Sequence, residues 1–519
     1  MLKDANELIK LAFSLGKQDS FVRQGQEKSQ LSLLPSDSFA DDNVNRQDSM
    51  KRTALHAAAF LNNYNLAEEL IQNGARVTVK DINWLTPLHR ACASNSFEVA
   101  KLLIENGADR TARDKQWQMP LHVAVANGSL ECIKLLLSHS SNQGQQTIPG
   151  IVNATDRGGN SALHHAVFHG HVSVVSCLLD NGASLNAFDK RERRVMHWAA
   201  ATNSPSLIEL LVQKGAELEC KDKTHFTPLH VASSLGHTKA VAKLLALGAD
   251  FQTFTTQGNT PLHLACLNGH TEVLALLIEH VKKYKTMAQL LSLVNIKNST
   301  GLTTFHLATS STSGSACLQY LLDATSTDLV VSASFEEDGD ASVVRHHCLA
   351  DLNARDYRSH FTPLHMAAFY GRFERAQVLI SYGANFELCD RFENTLLHIA
   401  ASQGHDLFLQ RMLHFLQESG ARHLRWDTAG AFGATPLHLA AINGHPACLS
   451  RLIQAAVASE TNKFTPNFMQ NSPEPLGTET GKGSSSSPSS ADEGLEAESS
   501  SSLSSSCYEQ KKAKRGCII

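Results

Sequence analysis

Apolar and polar positions follow one pattern that recurs along most of the chain, with a common period of 33 residues. Each unit has two short segments with apolar residues three and four positions apart, and this spacing predicts two helices. The clearest unit begins with Gly258–His270 and continues with Glu272–Ile278. A polar stretch then leads to the next unit. A fixed period of this length predicts a solenoid in which neighbouring units bury one another's apolar faces.

The start and the end of the first helix are marked by local signals. The Thr260 hydroxyl can accept from a free amide of the first turn, and Pro261 fits the first helical position. Gly269 can end the helix because glycine tolerates positive φ. The sequence Thr-Pro-Leu-His, intact or altered, ends at His56, His89, His122, His164, His197, His230, His263, His306, His365, His398 and His438. Six of the ten intervals between these anchors are 33 residues long.

The Thr-Pro-Leu-His-x-Ala pattern resembles that of the ankyrin repeat. The resemblance implies an all-α ankyrin-repeat solenoid, in which each repeat has helix, turn, helix and a hairpin finger. We expect about eleven repeats over residues 51–457 and a degenerate, capping repeat over residues 1–50. Residues 458–519 form a Ser-rich tail with a basic end, which we expect to be disordered.

Four inserts interrupt the period, each after a second helix and before the next finger. They lie near residues 138–150, 280–293, 324–348 and 417–431. The third insert contains Glu336–Asp340, and its acidity predicts a disordered loop. Insertions in a solenoid collect in loops on one face, so their common position supports the assigned frame.

Composition excludes several classes of protein. The net charge is −4, so the chain does not have the overall excess of basic residues that is typical of a protein that binds nucleic acid directly. The eleven cysteines are dispersed singly, which is typical of reduced thiols in an intracellular protein. No apolar run is long enough to span a membrane. We expect a cytoplasmic location, with a nuclear one as the alternative.

The basic end of the tail raises the question of lipidation. Lys511–Arg515 precede Cys517, as in many prenylated proteins. The prenylation motif places its cysteine fourth from the end, whereas Cys517 is third. C-terminal lipidation and a solvated tail are therefore both left open.

The sequence contains no set of residues that predicts catalysis or metal binding. The eleven anchor histidines occur once per repeat and cannot converge on one ion, so we expect them to connect neighbouring loops by hydrogen bonds. Arg345–Cys348 is one residue away from the Asp-His-His-Cys box of palmitoyltransferases, but the surrounding Cys-rich module and membrane helices are absent. No phosphate-binding loop or nucleophile motif occurs. We expect no enzymatic activity and no cofactor.

The fingers carry the candidate partner-binding residues. Trp84 and Trp117 occupy the same finger position one repeat apart. Tryptophan is enriched in binding hot spots, although each ring could instead pack against the neighbouring finger. A basic finger consists of Lys190, Arg191, Arg193 and Arg194, and Trp198 follows on the next helix. This finger could dock an acidic partner, or its charges could simply be solvated.

Several residues outside the repeat consensus carry a second resemblance. They are Asn83–Ala91, Asn186–Lys190, Arg193–Arg194, His197–Ala200 and Gly371–Phe373. Together they are similar to the large regulatory ankyrin-repeat subunits of protein phosphatase 6, in register from residue 51 to residue 457. The resemblance implies a scaffold that joins the phosphatase through SAPS-domain regulatory subunits and helps to select substrates. The alternative is a generic ankyrin adaptor for a cytoskeletal, trafficking or nuclear regulatory partner.

Overall fold

The computed structural model describes residues 44–138, 148–330, 344–418, 428–430 and 433–461. Residues 1–43 of the expected capping repeat lie outside these ranges. So do residues 462–519 of the Ser-rich tail, and with them the question of lipidation. The repeat array forms one unit that ends at Glu460.

The described chain repeats a pair of antiparallel helices. The first helices are α1 Ala54–Leu61, α3 Pro87–Ala93, α5 Pro120–Ala126, α8 Ala162–Phe168, α10 Val195–Ala201, α12 Pro228–Leu235, α14 Pro261–Asn268, α17 Thr304–Ser310, α19 Pro363–Phe369, α21 Leu396–Gln403 and α23 Pro436–Ile442. The second helices are α2 Tyr64–Gln72, α4 Phe97–Glu105, α6 Leu130–Leu137, α9 Val172–Asp180, α11 Pro205–Gln213, α13 Thr238–Ala246, α15 Thr271–Tyr284, α18 Ser315–Thr325, α20 Phe373–Ser381, α22 Asp406–Glu418 and α24 Pro446–Thr461. The predicted ankyrin-repeat solenoid is confirmed.

Helix α14 shows why the motif forms this element. The Thr260 hydroxyl accepts a hydrogen bond from the His263 N–H at 3.4 Å, and Pro261 is the first helical residue. Gly269 ends the helix with φ at 76°, in the left-handed region. These contacts are the predicted caps, and they form within a dozen residues of chain.

The core runs continuously along the array. Each first helix contacts the first helices of the neighbouring repeats, and the second helices contact one another in the same way. In the central repeat, Leu262, Ala265 and Leu274 are buried. The small side chain of Ala265 lets adjacent helices approach closely. Because each repeat buries its apolar face only against its neighbours, stability depends on every interface in the stack.

Nine of the eleven anchor histidines hold their repeat to the next finger, as predicted. His263 Nδ1 accepts from the Thr260 N–H at 3.2 Å, so its Nε2 carries the proton and donates to the Ile296 carbonyl at 3.1 Å. The same bond joins His56 to Leu85, His89 to Gln118, His122 to Ala154, His164 to Arg193, His197 to Phe226, His230 to Asn259, His306 to Phe361 and His398 to Ala434.

Two of the inserts contain helical segments. Helix α15 continues to Tyr284 and is followed by an extra helix, α16 Met287–Val294. Helix α7, Ile148–Val152, closes the first insert.

The two ends of the third insert form strands. This corrects the expectation that the whole insert is a disordered loop. Strand β1, Ser326–Val330, pairs antiparallel with β2, Val344–Cys348, with Ser326 opposite Cys348. Val330 and Val344, which face each other in the register, are β-branched, and β-branched residues favour strands. The acidic Glu336–Asp340 lie outside the described part of the chain.

Candidate partner-binding surface

Seven of the fingers are tight turns that an aspartate organises in the same way. Asp81 Oδ1 accepts from the N–H groups of Asn83 at 2.8 Å and Leu85 at 2.9 Å. A carboxylate that bonds the backbone two and four residues later holds the turn closed without help from other repeats. The same pair of bonds occurs at Asp48, Asp114, Asp156, Asp189, Asp222 and Asp390.

The two candidate tryptophans occupy the left-handed position of this turn. Trp84 has φ of 65° and Trp117 has φ of 63°. Other fingers place there Lys51, Gly159, Glu192, His225, Gly258, Gly301, Glu393 and Gly433. The left-handed conformation costs a residue with a Cβ about 1–2 kcal/mol, a cost that glycine avoids. The backbone conformation therefore does not explain why tryptophan occupies this position.

Both tryptophans are open to solvent on one side. Trp84 is 49% exposed and Trp117 is 57% exposed. The Lys80 ammonium lies 5.6 Å from the centroid of the Trp84 ring, and the Arg113 guanidinium lies 5.2 Å from that of Trp117. A cation from the same finger therefore supports each ring. Large exposed aromatic rings held in a strained conformation are typical of binding sites.

The finger tips form a continuous row, which we call the fingertip row. It consists of residues 82–84, 115–117, 157–159, 190–192 and 223–225. One backbone bond joins each tip to the tip before it. These bonds run from the N–H groups of Lys115 to Asn83, Arg157 to Gln116, Lys190 to Gly158 and Lys223 to Arg191, with lengths of 2.8–3.0 Å.

Two of the four basic residues predicted for this finger lie on the fingertip row, and the other two lie nearer the base of the finger. Lys190 and Arg191 are exposed on the fingertip row. Arg193 forms an ion pair with Asp189 at 2.8 Å, and its guanidinium lies 4.7 Å from the centroid of the Trp198 ring. Arg194 forms an ion pair with Glu217. The charges of Arg193 and Arg194 are therefore engaged within the array.

Trp198 lies on helix α10 and not on the fingertip row. Its ring packs edge-on against Phe168, at a centroid distance of 5.4 Å, and against His164 at 6.1 Å. The indole N–H is buried and has no hydrogen-bond partner among the described residues. This environment is that of a packed ring on the first-helix face.

Reasoning from sequence missed three residues of the row. Lys115, Arg157 and Lys223 are exposed and lie at the same position of their fingers as Lys190, one residue after the aspartate. The signal was present in the sequence as a basic residue directly after the aspartate of four consecutive fingers, and superposing the repeats would have found it.

Other kinds of site find no support among the residues that the structure describes. No group of three or more His, Cys, Asp or Glu residues there could hold a metal ion. None of the helices in these ranges combines the length and the apolar character needed to cross a bilayer. A cavity of about 560 Å³ between α13 and α15 is lined by residues that include Leu245, Leu276 and His280.

Comparison with known proteins identifies the repeats. Models described as ankyrin repeats match residues 22–114 and 88–189, residues 196–245, 229–278 and 364–417, and residues 432–463, which together make up well over half of the chain. No curated protein matches the chain. Similar solved structures include the human ASB11 ankyrin repeat domain, which is 26% identical, covers 44% of this chain and 98% of its own, and gives a TM-score of 0.39. The ankyrin repeat domain of Bcl-3, a member of the IkappaB protein family, is 29% identical with the same coverage and a TM-score of 0.38.

Proposed function

Because this chain belongs to the ankyrin-repeat family, we propose that it is a non-catalytic protein–protein interaction scaffold that binds its partner through the fingertip row. The observation that carries the proposal is the pair of half-exposed tryptophans, Trp84 and Trp117, in a left-handed conformation. Ankyrin repeats are typically binding scaffolds, and a rigid stack presents its fingers without further ordering. Little conformational entropy is then lost on binding.

We propose more specifically that the scaffold is a regulatory subunit of a protein phosphatase 6 complex. It would contact the SAPS-domain subunits and help to recruit substrates to the catalytic subunit. Two of the segments that resemble this family, Asn83–Ala91 and Asn186–Lys190, contribute Trp84 and Lys190 to the fingertip row. A cytoplasmic location, with a nuclear fraction as the alternative, accords with the free cysteines among the described residues.

Affinity purification of the tagged full-length chain from cells tests the assignment to the phosphatase. We expect the phosphatase 6 catalytic subunit and a SAPS-domain subunit to be recovered and identified by mass spectrometry. Their consistent absence, with another set of partners in their place, would instead favour the generic adaptor.

The combined substitution Trp84→Gly and Trp117→Gly is expected to separate binding from folding. Glycine relieves the left-handed strain, while loss of the cation–π contacts costs about 0.5–1 kcal/mol per site, so the stability should stay within about 1 kcal/mol of the wild type. Recovery of the partner should fall at least about tenfold, since hot-spot aromatic residues contribute about 2 kcal/mol or more each. Urea denaturation and quantitative co-purification measure the two effects.

The matched control is Tyr284→Ala, which removes an exposed aromatic ring from the end of α15. It should leave both stability and partner recovery unchanged. If the double glycine variant lost as much stability as a core variant, the tryptophans would be packing residues and the fingertip proposal would be wrong.

A further inference from the structure

Four consecutive fingers present a basic side chain at one position. The residues are Lys115, Arg157, Lys190 and Lys223, and Arg191 lies beside the third. All are exposed, and within the described chain none of their side chains forms a hydrogen bond or an ion pair. Basic residues nearer the bases of the fingers do form hydrogen bonds or ion pairs. Arg113, for example, donates to the carbonyls of Trp117 and Thr155.

The spacing of these cations follows from the backbone. Each of the four residues is the donor of the bond that joins its finger to the one before, so the four are held in register. Each finger contributes two chain segments, and hydrogen-bonded segments lie about 4.8 Å apart, which gives about 10 Å per finger. Packed helices of adjacent repeats are separated by a similar 8–10 Å. The row therefore presents one cation about every 10 Å over about 30 Å.

The charge of this stretch is strongly one-sided. The fingertip row has one acidic side chain, Glu192, and five side chains of lysine or arginine. The next two tips, Thr256–Gly258 and Ser299–Gly301, carry no charge. At the other end, the row reaches Trp84 and Trp117. We call the basic residues of this row, Lys115, Arg157, Lys190, Arg191 and Lys223, the basic strip. It is bounded by aromatic rings at one end and by neutral tips at the other.

We propose that this strip binds an extended acidic polypeptide segment with a carboxylate at about every third residue. An extended chain rises about 3.3 Å per residue, so three residues match the distance between successive fingers. Four carboxylates then pair with Lys115, Arg157, Lys190 and Lys223 along about ten residues, and an apolar residue at one end contacts Trp117. The inference rests on the proposed role as an interaction scaffold and specifies the chemistry of its partner.

The observations favour a polypeptide over a nucleic acid. Phosphates follow one another every 3.4 Å of helix axis along each strand of a duplex, so about two of every three would lie between cations that are about 10 Å apart. Glu192, which lies beside Lys190 and Arg191, would repel a continuous phosphate backbone. A segment with separated carboxylates can pass this position without a like-charge contact.

Fluorescence anisotropy with the full-length protein tests the spacing. One labelled peptide of about twelve residues carries four glutamates at every third position, and a second has the same composition with the glutamates adjacent. We expect the spaced peptide to bind at least about tenfold more tightly, with an affinity that falls as salt is added.

Charge reversal tests the assigned residues. The combined substitution Lys115→Glu, Arg157→Glu, Lys190→Glu and Lys223→Glu should weaken binding of the spaced peptide by at least about 100-fold, because each exposed pair contributes up to about fivefold before repulsion is added. A matched control reverses four exposed lysines elsewhere, in Lys101→Glu, Lys239→Glu, Lys282→Glu and Lys285→Glu. This control has the same net charge and should change the affinity by less than about threefold.

Three results would overturn the inference: equal affinity for both peptides, equal weakening by the two sets of reversals, or tighter binding of a single-stranded oligonucleotide than of the spaced peptide. A different result would contradict the assignment to the phosphatase complex. If the spaced peptide binds as expected but no phosphatase 6 subunit co-purifies, only that assignment is wrong. If the subunits co-purify but neither peptide binds, the inference is wrong.

Discussion

Acidification is expected to unfold the repeat array between about pH 6.5 and pH 4, because the anchor histidines are buried in their neutral form. Burial lowers their pKa from the usual value of 6.5 to about 4, and a hydrogen bond to a finger carbonyl, where one is formed, opposes this shift only in part. The histidines with this pKa are His56, His89, His122, His164, His230, His263, His306 and His365.

The direction of the effect follows from proton linkage. Between pH 6.5 and pH 4 the unfolded chain binds more protons than the folded chain, so the free energy of unfolding falls as the pH falls. This contribution to stability is fully present above pH 6.5 and is lost as the pH falls through about 4. The physical cause is visible at His263, where protonation would end the bond from the Thr260 N–H and leave a charge in the core.

The magnitude is large because the same group recurs in every repeat. One unit of pKa difference corresponds to about 1.4 kcal/mol, so each histidine contributes on the order of 3 kcal/mol once the pH is below both pKa values. Native domains are stable by only about 5–15 kcal/mol. Protonation of a few anchors is therefore enough to unfold the array before pH 4 is reached.

Urea denaturation followed by circular dichroism at pH 7.5, 6.0 and 5.0 measures this effect. We expect the midpoint concentration of urea to fall steeply between the last two values. His225→Gln, which changes an exposed histidine on the fingertip row, should leave the pH dependence unaltered. A midpoint that stays constant from pH 7.5 to pH 5.0 would contradict the inferred neutral anchors.

The substitution Leu262→Ala is expected to destabilise the array by roughly 2–5 kcal/mol, because it removes apolar contacts and leaves a cavity. Leu262 is only 1% exposed, and it lies on α14 near the middle of the stack. Each repeat is stabilised by its two neighbours, so a cavity at this place weakens the interfaces on both sides.

Leu267→Ala on the same helix provides the matched control. Leu267 is 41% exposed, and its loss should change the stability by less than about 0.5 kcal/mol. Thermal and urea denaturation of the two variants at pH 7.5 give the comparison. Equal destabilisation by the two substitutions would show that the inner face of the helix has been assigned wrongly.

The sequence was enough to predict the repeat frame, because the interactions that define it are local. Thr260, Pro261 and Gly269 mark the start and the end of a helix through contacts within a few residues. The structural role of the anchor histidines was also predictable, since one histidine per repeat cannot form a cluster. The anchor hydrogen bonds then confirmed this role.

Other features became visible only in the tertiary structure, because they depend on residues far apart in the chain. The sequence predicts that Arg194 contacts a partner, yet Arg194 forms an ion pair with Glu217. Strand β1 pairs with β2 across the third insert, and the helical period gives no signal of such a pairing.

The basic strip illustrates the same division between local and distant interactions. Lys115, Arg157 and Lys223 are each an unremarkable charge in a polar turn of the sequence. Only the stacking of repeats, with one backbone bond between successive tips, places them in line. The sequence by itself determined the helices, turns and caps, whose hydrogen bonds close within a few residues. The tertiary structure decided which charges remain free and which of them become neighbours, since both depend on contacts between separate repeats.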